Sequence, residues 1–243
     1  MVQPVYIHGL PGSPRELDFA GARDRFRTVS PFPDSMAELA ETPHALSIHA
    51  FSLGAFAALR FAAEFPDKVV SLTLISPAAP LELGDFLPDM AGGVVFRTAM
   101  LSPVLFRALS AVQALAVRAD PARVLDLMFG SSAPTERTLA HAPDTRAVFE
   151  NGLRHTFLHH RRAYTDTVLQ YVRPWADTLQ HVHVPARIVA GTDDTWTPPA
   201  MVEALAGALP SRPTLKWVEG AGHYGALVAH LRDHVTKAGP TSV

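Results

Sequence analysis

The chain contains no cysteine. That excludes disulfides, thiolate metal sites and a cysteine nucleophile, and it leaves the redox compartment open. Net charge is nearly absent too: 21 Lys+Arg against 23 Asp+Glu give −2 over 243 residues. Such a balance argues against broad electrostatic binding to nucleic acid or to an anionic membrane. No apolar run is long enough to cross a bilayer, because the most apolar stretch, 92–117, is broken by Arg97, Pro103, Arg107 and Gln113. Residues 1–14 carry neither a basic leader nor a long apolar segment, so the expectation is a cytoplasmic chain without a signal peptide. His8–Ser13 contains glycines but no Walker lysine and no Gly-x-Gly-x-x-Gly spacing, which disfavours a phosphate cradle. What the chain does have is 48% hydrophobic residues against 18% charged, enough for a sizeable core in one α/β unit of this length.

Short β-type runs end repeatedly in Gly, Pro or Ser. Val5-Tyr6-Ile7 leads into His8-Gly9-Leu10-Pro11-Gly12, and Arg27–Ser30 ends at Pro31. Ala45–Ala50 leads into Phe51-Ser52-Leu53-Gly54; a run without Gly or Pro, Ala55–Phe65, then favours helix. Val69–Ile75 is a further strand. Strand, turn, helix, strand is the unit of a parallel sheet. From Leu81 to Val184 strand signals are few and helical texture dominates. Strand signals return at Arg187–Ala190 and Thr214–Val218, with helices expected over Pro198–Leu209 and Ala226–Thr236 and a loose tail over Gly239–Val243. The fold class is therefore α/β: a mostly parallel sheet of about six strands flanked by helices. Residues 1–80 and 185–243 form its core, and 81–184 form a helical insertion.

Ligands bind beyond the carboxyl ends of such strands. Four segments end there: His8–Gly12, Ser52, the Asp193-Asp194 pair and His223. Ser52 lies between Ala50 and Gly54, and a serine on a sharp strand-to-helix turn needs small neighbours. The turn exposes the hydroxyl and sets the Leu53 N–H at a helix N-terminus, where an oxyanion would form. An ordinary N-cap serine would leave the same string. A hydroxyl needs a base, and His223, after Gly220-Ala221-Gly222, is the candidate among 12 histidines. Asp193 or Asp194 would orient its imidazole.

The order Ser, Asp, His, each after its own strand, together with His8-Gly9-Leu10-Pro11-Gly12, Phe51-Ser52-Leu53-Gly54-Ala55, Gly191–Asp194 and Gly220–His223, resembles the α/β-hydrolase superfamily of serine hydrolases with a helical cap. The resemblance spans Val5 to about Val235. It implies Ser52, Asp194 and His223 as catalytic residues, with Asp194 selected over Asp193 by its spacing from Gly191. It implies the Leu10 and Leu53 N–H groups as an oxyanion hole, a structural His8 and no cofactor. Only Met1–Pro4 precede the first strand, so the family's opening strands are expected to be missing. The insertion at 81–184 stands where the family carries its cap.

The activity so implied is cleavage of a carboxylic ester or related acyl compound through an acyl-enzyme. The same triad would serve carbon–carbon bond hydrolysis or a lyase step, and a silent member would be a small-molecule binder. Relatives that dehalogenate or open epoxides use aspartate where Ser52 stands. Phe51 and Trp196 flank catalytic positions and are candidate substrate contacts. Val94, Val95, Phe96, Leu101, Leu105, Leu109, Val112 and Leu115 recur at helical spacing and are expected to pack on the sheet domain, with part of the stripe lining an acyl pocket. His155 and His159 are four apart, but no third ligand matches, so no metal is expected. The exposed-looking run His160-Arg161-Arg162 is a solvated face, or a contact for an acidic carrier protein bearing an acyl group. Oligomeric state is not written in the sequence.

Overall fold

A computed structural model describes residues 2–130 and 132–237 of the protein; the tail expected at Gly239–Val243 lies outside them. Six strands form one sheet: β1 Val2–Ile7, β2 Arg27–Val29, β3 Ala45–Phe51, β4 Val69–Ile75, β5 Ala186–Gly191 and β6 Thr214–Val218. Their order is β2-β1-β3-β4-β5-β6, and every neighbouring pair is parallel. The central strands are covered on both faces, which is why Val5-Tyr6-Ile7 and Leu72 to Ile75 read as nearly continuous apolar runs. Because all strands point the same way, their carboxyl ends share one edge.

Strand β1 starts three residues earlier than its apolar run suggests, and it includes Pro4. Strand β2 pairs only with Val5–Ile7, so Pro4 lies beyond its neighbour on that side.

The helices are α1 Pro33–Ala40, α2 Gly54–Glu64, α3 Gly93–Leu101, α4 Pro103–Ala119, α5 Pro121–Phe129, α6 Pro134–His141, α7 Pro143–Arg154, α8 Arg161–Tyr171, α9 Pro199–Ala208 and α10 His223–Lys237. Helices α3–α8 all fall between β4 and β5. Pro103, Pro121, Pro134 and Pro143 each begin a helix. Proline fits a first turn, where its missing N–H would have no partner. Ser102 and Asp120 add side-chain caps, accepting the N–H groups of Leu105 and Arg123. A π-type turn at His155–His159 joins α7 to α8.

One expectation about the insertion is corrected. Phe96 is buried, but Val94, Leu101, Leu105, Val112 and Leu115 are exposed by more than half. Along α4 the buried positions are Phe106, Ser110 and Val117, and most of the apolar stripe lies on the opposite side. Periodicity located the helix, but with apolar residues on both faces it could not say which one was covered.

Candidate active site

Ser52 follows β3 with φ 54°, a left-handed conformation that strains any residue but glycine. Its backbone is pinned: the N–H donates to Ile75 O at 3.0 Å, and its carbonyl accepts from Ala55 at 3.0 Å and Ala78 at 3.1 Å. Helix α2 begins two residues later at Gly54. A Cβ there would stand 2.6 Å from the Ile7 carbonyl and 2.7 Å from that of His8. Glycine at this position lets α2 press against the end of β1 and bring the Ser52 turn under the His8–Gly12 loop.

That loop is held from below. His8 is fully buried, and its Nδ1 meets the Gly9 carbonyl at 2.7 Å while Nε2 meets Ser30 Oγ at 3.1 Å. Nδ1 must carry the proton to donate to a carbonyl, so Nε2 accepts from the hydroxyl. Burial pushes its pKa down to about 3, keeping the ring neutral. Glu16 accepts from Tyr6 Oη at 2.6 Å and from the Gly9 N–H at 3.2 Å. Burial lifts its carboxyl to about 7.

On the far side of the sheet edge, Asp194 and His223 meet directly, Oδ2 to Nδ1 at 2.8 Å. Asp194 also accepts from Thr197 Oγ1 and from the N–H groups of Trp196 and Thr197, at 2.8–2.9 Å. Burial acts to raise its pKa. The charge and hydrogen bond of His223, with the donors of Thr197 and Trp196, outweigh it and hold the carboxylate below its usual range. Asp193 is exposed, and its carboxylate accepts from the hydroxyl of its neighbour Thr192 at 3.2 Å. Ser76, after β4, donates its hydroxyl to the His223 carbonyl at 3.2 Å.

The imidazole packs between aromatic neighbours: Phe51 with ring centroids 4.7 Å apart and Trp196, stacked at 5.9 Å. Phe51 is fully buried and does not reach the cavity, which corrects its assignment as a substrate contact. It is the last residue of β3 and its ring packs on His223, while Ser52, in the turn that follows, lines the cavity.

A cavity of about 220 Å³ opens over Ser52, and Leu10, Leu53 and Trp196 share its wall. The opposite wall comes from the insertion, including Phe96, Leu127 and Tyr164. Among the described residues, the Leu10 and Leu53 N–H groups donate to no protein acceptor. The structure thus joins Asp194 to His223, and it gathers Ser52, Leu10, Leu53 and Trp196 at one cavity. His223 is linked to that group through Phe51, Trp196 and Ser76.

Sequence reading missed Glu136, on α6. Its carboxylate accepts from the Tyr224 N–H at 2.5 Å and the Gly225 N–H at 3.4 Å, so it caps the helix that begins with His223. Burial raises its pKa. The cap lies 88 residues from Tyr224, so no local pattern announces it. Thr197, the third donor to Asp194, was also missed. Among the described residues no cluster of three His, Asp or Glu side chains is arranged to hold a metal. His155 instead packs against the rings of His8 and His160, at 5.5 and 4.4 Å.

Solved structures share this architecture at low identity. An esterase from Thermogutta terrifontis aligns with a TM-score of 0.61 and 17% identity over 98% of this chain and 89% of its own. The enol-lactonase from Burkholderia xenovorans LB400 gives 0.62 and 14% over 97% and 92%. A bromoperoxidase from Bacillus anthracis gives 0.62 and 14% over 98% and 91%. No curated protein sequence matches the chain. A family model described as "Alpha/beta hydrolase family" matches residues 5–236, nearly the whole length over which the sheet edge and its loops are built, and the chain belongs to that family.

Proposed function

We propose that the protein is a serine hydrolase that cleaves carboxylic esters or related acyl compounds through an acyl-enzyme. The observation that carries this reading is the strained Ser52 turn at the same sheet edge as the buried Asp194–His223 pair. Ser52 Oγ attacks the carbonyl carbon, and His223 accepts its proton at Nε2, the nitrogen not engaged by Asp194. Asp194 holds Nδ1–H and stabilises the imidazolium that forms. The tetrahedral oxyanion is received by the N–H groups of Leu10 and Leu53. His223 returns the proton to the leaving alcohol, then activates water to release the acid. Residues 81–184 act as a cap over a core formed by 1–80 and 185–243, and α3, α4, α5 and α8 supply side chains to the cavity wall.

The cavity is smaller than the roughly 300 Å³ at which drug-sized sites begin. Its wall is mainly apolar, with Gln113 and Thr197 among the few polar groups. Short to medium acyl chains are therefore expected to be best. A series of p-nitrophenyl esters should show kcat/KM rising from acetyl to a medium chain and then falling. A continued rise to long chains would remove the cavity as the acyl site. Labelling of Ser52 by a fluorophosphonate tests the nucleophile directly, and folded protein that stays unlabelled would favour a non-catalytic binder.

Glu136 enters the same scheme as a positioning residue. Glu136→Ala leaves two partly or fully buried N–H groups at the start of α10 without their acceptor, and it frees the turn that aims His223. Small displacements of a catalytic base cost up to about 100-fold in rate. The expected result is a fall in kcat of about ten- to 100-fold with KM little changed, and recovery of most of it in Glu136→Gln, which keeps an acceptor oxygen. Equal losses in kcat and in folded fraction, with no recovery by Gln, would reduce Glu136 to a stabilising contact.

A further inference from the structure

Of the large apolar side chains left exposed, eight lie on three consecutive helices of the insertion: Val94, Met100 and Leu101 on α3, Val104, Leu105, Val112 and Leu115 on α4, and Leu127 on α5. On α4 the outward stripe continues through Ala108, Ala116 and Ala119, also exposed, so this helix is apolar on its buried side and on its open side. A helix apolar all round is normally covered on all sides. Contiguous exposed apolar surface of this kind marks a site of interaction.

The charges around the patch indicate what covers it. From Met90 to Ala119, the span of α3 and α4 bounded by the exposed Asp89 and Asp120, the sequence has three arginines, Arg97, Arg107 and Arg118, and no aspartate or glutamate. All three are exposed; Arg107 stands 3.7 Å from Asp166 of α8, and no ion pair to Arg97 or Arg118 is seen among the described residues. At helical spacing, Arg107 and Arg118 fall along one edge of the α4 stripe, where a long basic side chain can lie over apolar surface and keep its head in a polar layer. The chain-wide charge of −2 hides this local excess. A second copy of the chain, meeting this face with its own, would bring arginines toward arginines, which opposes a symmetric dimer. An anionic amphiphile layer receives both the apolar stripe and the arginines. The patch is also continuous with the cavity mouth: Leu127 is 75% exposed and lines the cavity as well, and Val95 and Gln113 line it from α3 and α4.

We propose that the outer face of α3 and α4 docks the protein on an anionic lipid surface, with the cavity mouth turned toward the layer. The protein lies on the surface and does not cross it: no helix among the described residues is long and apolar enough to span a membrane. Substrate then reaches Ser52 from the lipid side.

The test is cosedimentation of the full chain with phosphatidylcholine vesicles, with and without phosphatidylglycerol. Ser52→Ala serves as the binding species, so the readout does not depend on the hydrolase reading. Binding should be at least about tenfold tighter with phosphatidylglycerol and should weaken in high salt. The double variant Leu105→Glu/Leu115→Glu, whose positions line no part of the cavity, should lose about 100-fold or more in binding. In otherwise unmodified protein, the same two changes should leave the rate on a soluble short-chain ester unchanged. Arg97→Glu/Arg118→Glu should abolish the preference for the anionic vesicles. Absence of binding to either vesicle would overturn the proposal, as would binding that the leucine variant leaves intact. A concentration-dependent dimer broken by that variant, without vesicle binding, would assign the face to a second copy of the chain instead.

Discussion

Ser52→Ala is expected to lower turnover of an activated ester about 10⁶-fold while the protein stays folded. The size of the loss follows from how the site is divided. In the proposed mechanism the acyl-enzyme forms only if His223, held by Asp194, takes the proton of the Ser52 hydroxyl. Without that hydroxyl, their 2.8 Å pairing has nothing to act on. What remains is binding in the cavity and the two free N–H groups above it, worth roughly 10³–10⁴ over water in enzymes of this design. Stability should barely change, because alanine bears the same backbone strain at φ 54° as serine does. Ser52→Gly would relieve that strain and is expected to be both inactive and slightly more stable. The measurement is steady-state turnover on the best p-nitrophenyl ester, with circular dichroism and fluorophosphonate labelling in parallel. Activity near the parent level in purified, unlabelled Ser52→Ala would end the assignment of the nucleophile. A loss of about 10⁴ in Asp194→Asn, with Ser52 intact, would separate orientation of the imidazole from the nucleophile itself.

The parts of the fold that were legible in the sequence are those set by local chemistry. Val69–Ile75, buried along most of its length, and the half-exposed edge strand Thr214–Val218 both announced themselves as β-type runs with their ends marked by proline or glycine. The Ser52 turn was legible because Gly54 is required by contact with the Ile7 and His8 carbonyls, and that requirement leaves a glycine at a fixed spacing. Long-range features were not legible. Helix α10 starts at His223, ahead of the Ala226 at which the sequence suggests it, because N–H groups of its first turn are received by Glu136 from another part of the chain. The face of α4 was misjudged for a related reason. An apolar stripe shows that a face exists, but what covers it depends on partners outside the helix. Phe51 was misplaced by its nearness in sequence to Ser52: it ends β3 and packs on His223, while the left-handed turn at φ 54° carries Ser52 to the cavity.

Acid is expected to unfold the protein in a narrow window, and histidines set it. His49 and His230, on β3 and α10, form a buried pair, Nδ1 to Nε2 at 3.0 Å, with His234 packed against both. Burial first, then His230, lowers His49 to about 2; burial first, then Arg187, lowers His230 to about 3. With His8 at about 3, three buried rings stay neutral in the folded protein. In the unfolded chain each titrates near 6.5. Their folded values are depressed, so the stability they contribute is complete above 6.5 and is lost as pH falls from there toward 3. By pH 4.5 the three together have cost on the order of 8 kcal/mol. Glu16 works in the opposite direction. Its folded value of about 7 lies above the ordinary 4.5, so protonation between these values returns about 3 kcal/mol. The net loss of about 5 kcal/mol is comparable with the whole stability of a typical domain. Urea unfolding followed from pH 7 to 4.5 should show stability falling by about 3 kcal/mol per pH unit below 6, the slope of two net protons taken up on unfolding. His230→Asn, by removing one titrating ring from the pair, should flatten that slope by about one proton. A stability that stays level from pH 7 to 5 would mean that the three rings exchange protons freely with water in the folded state, contrary to their burial.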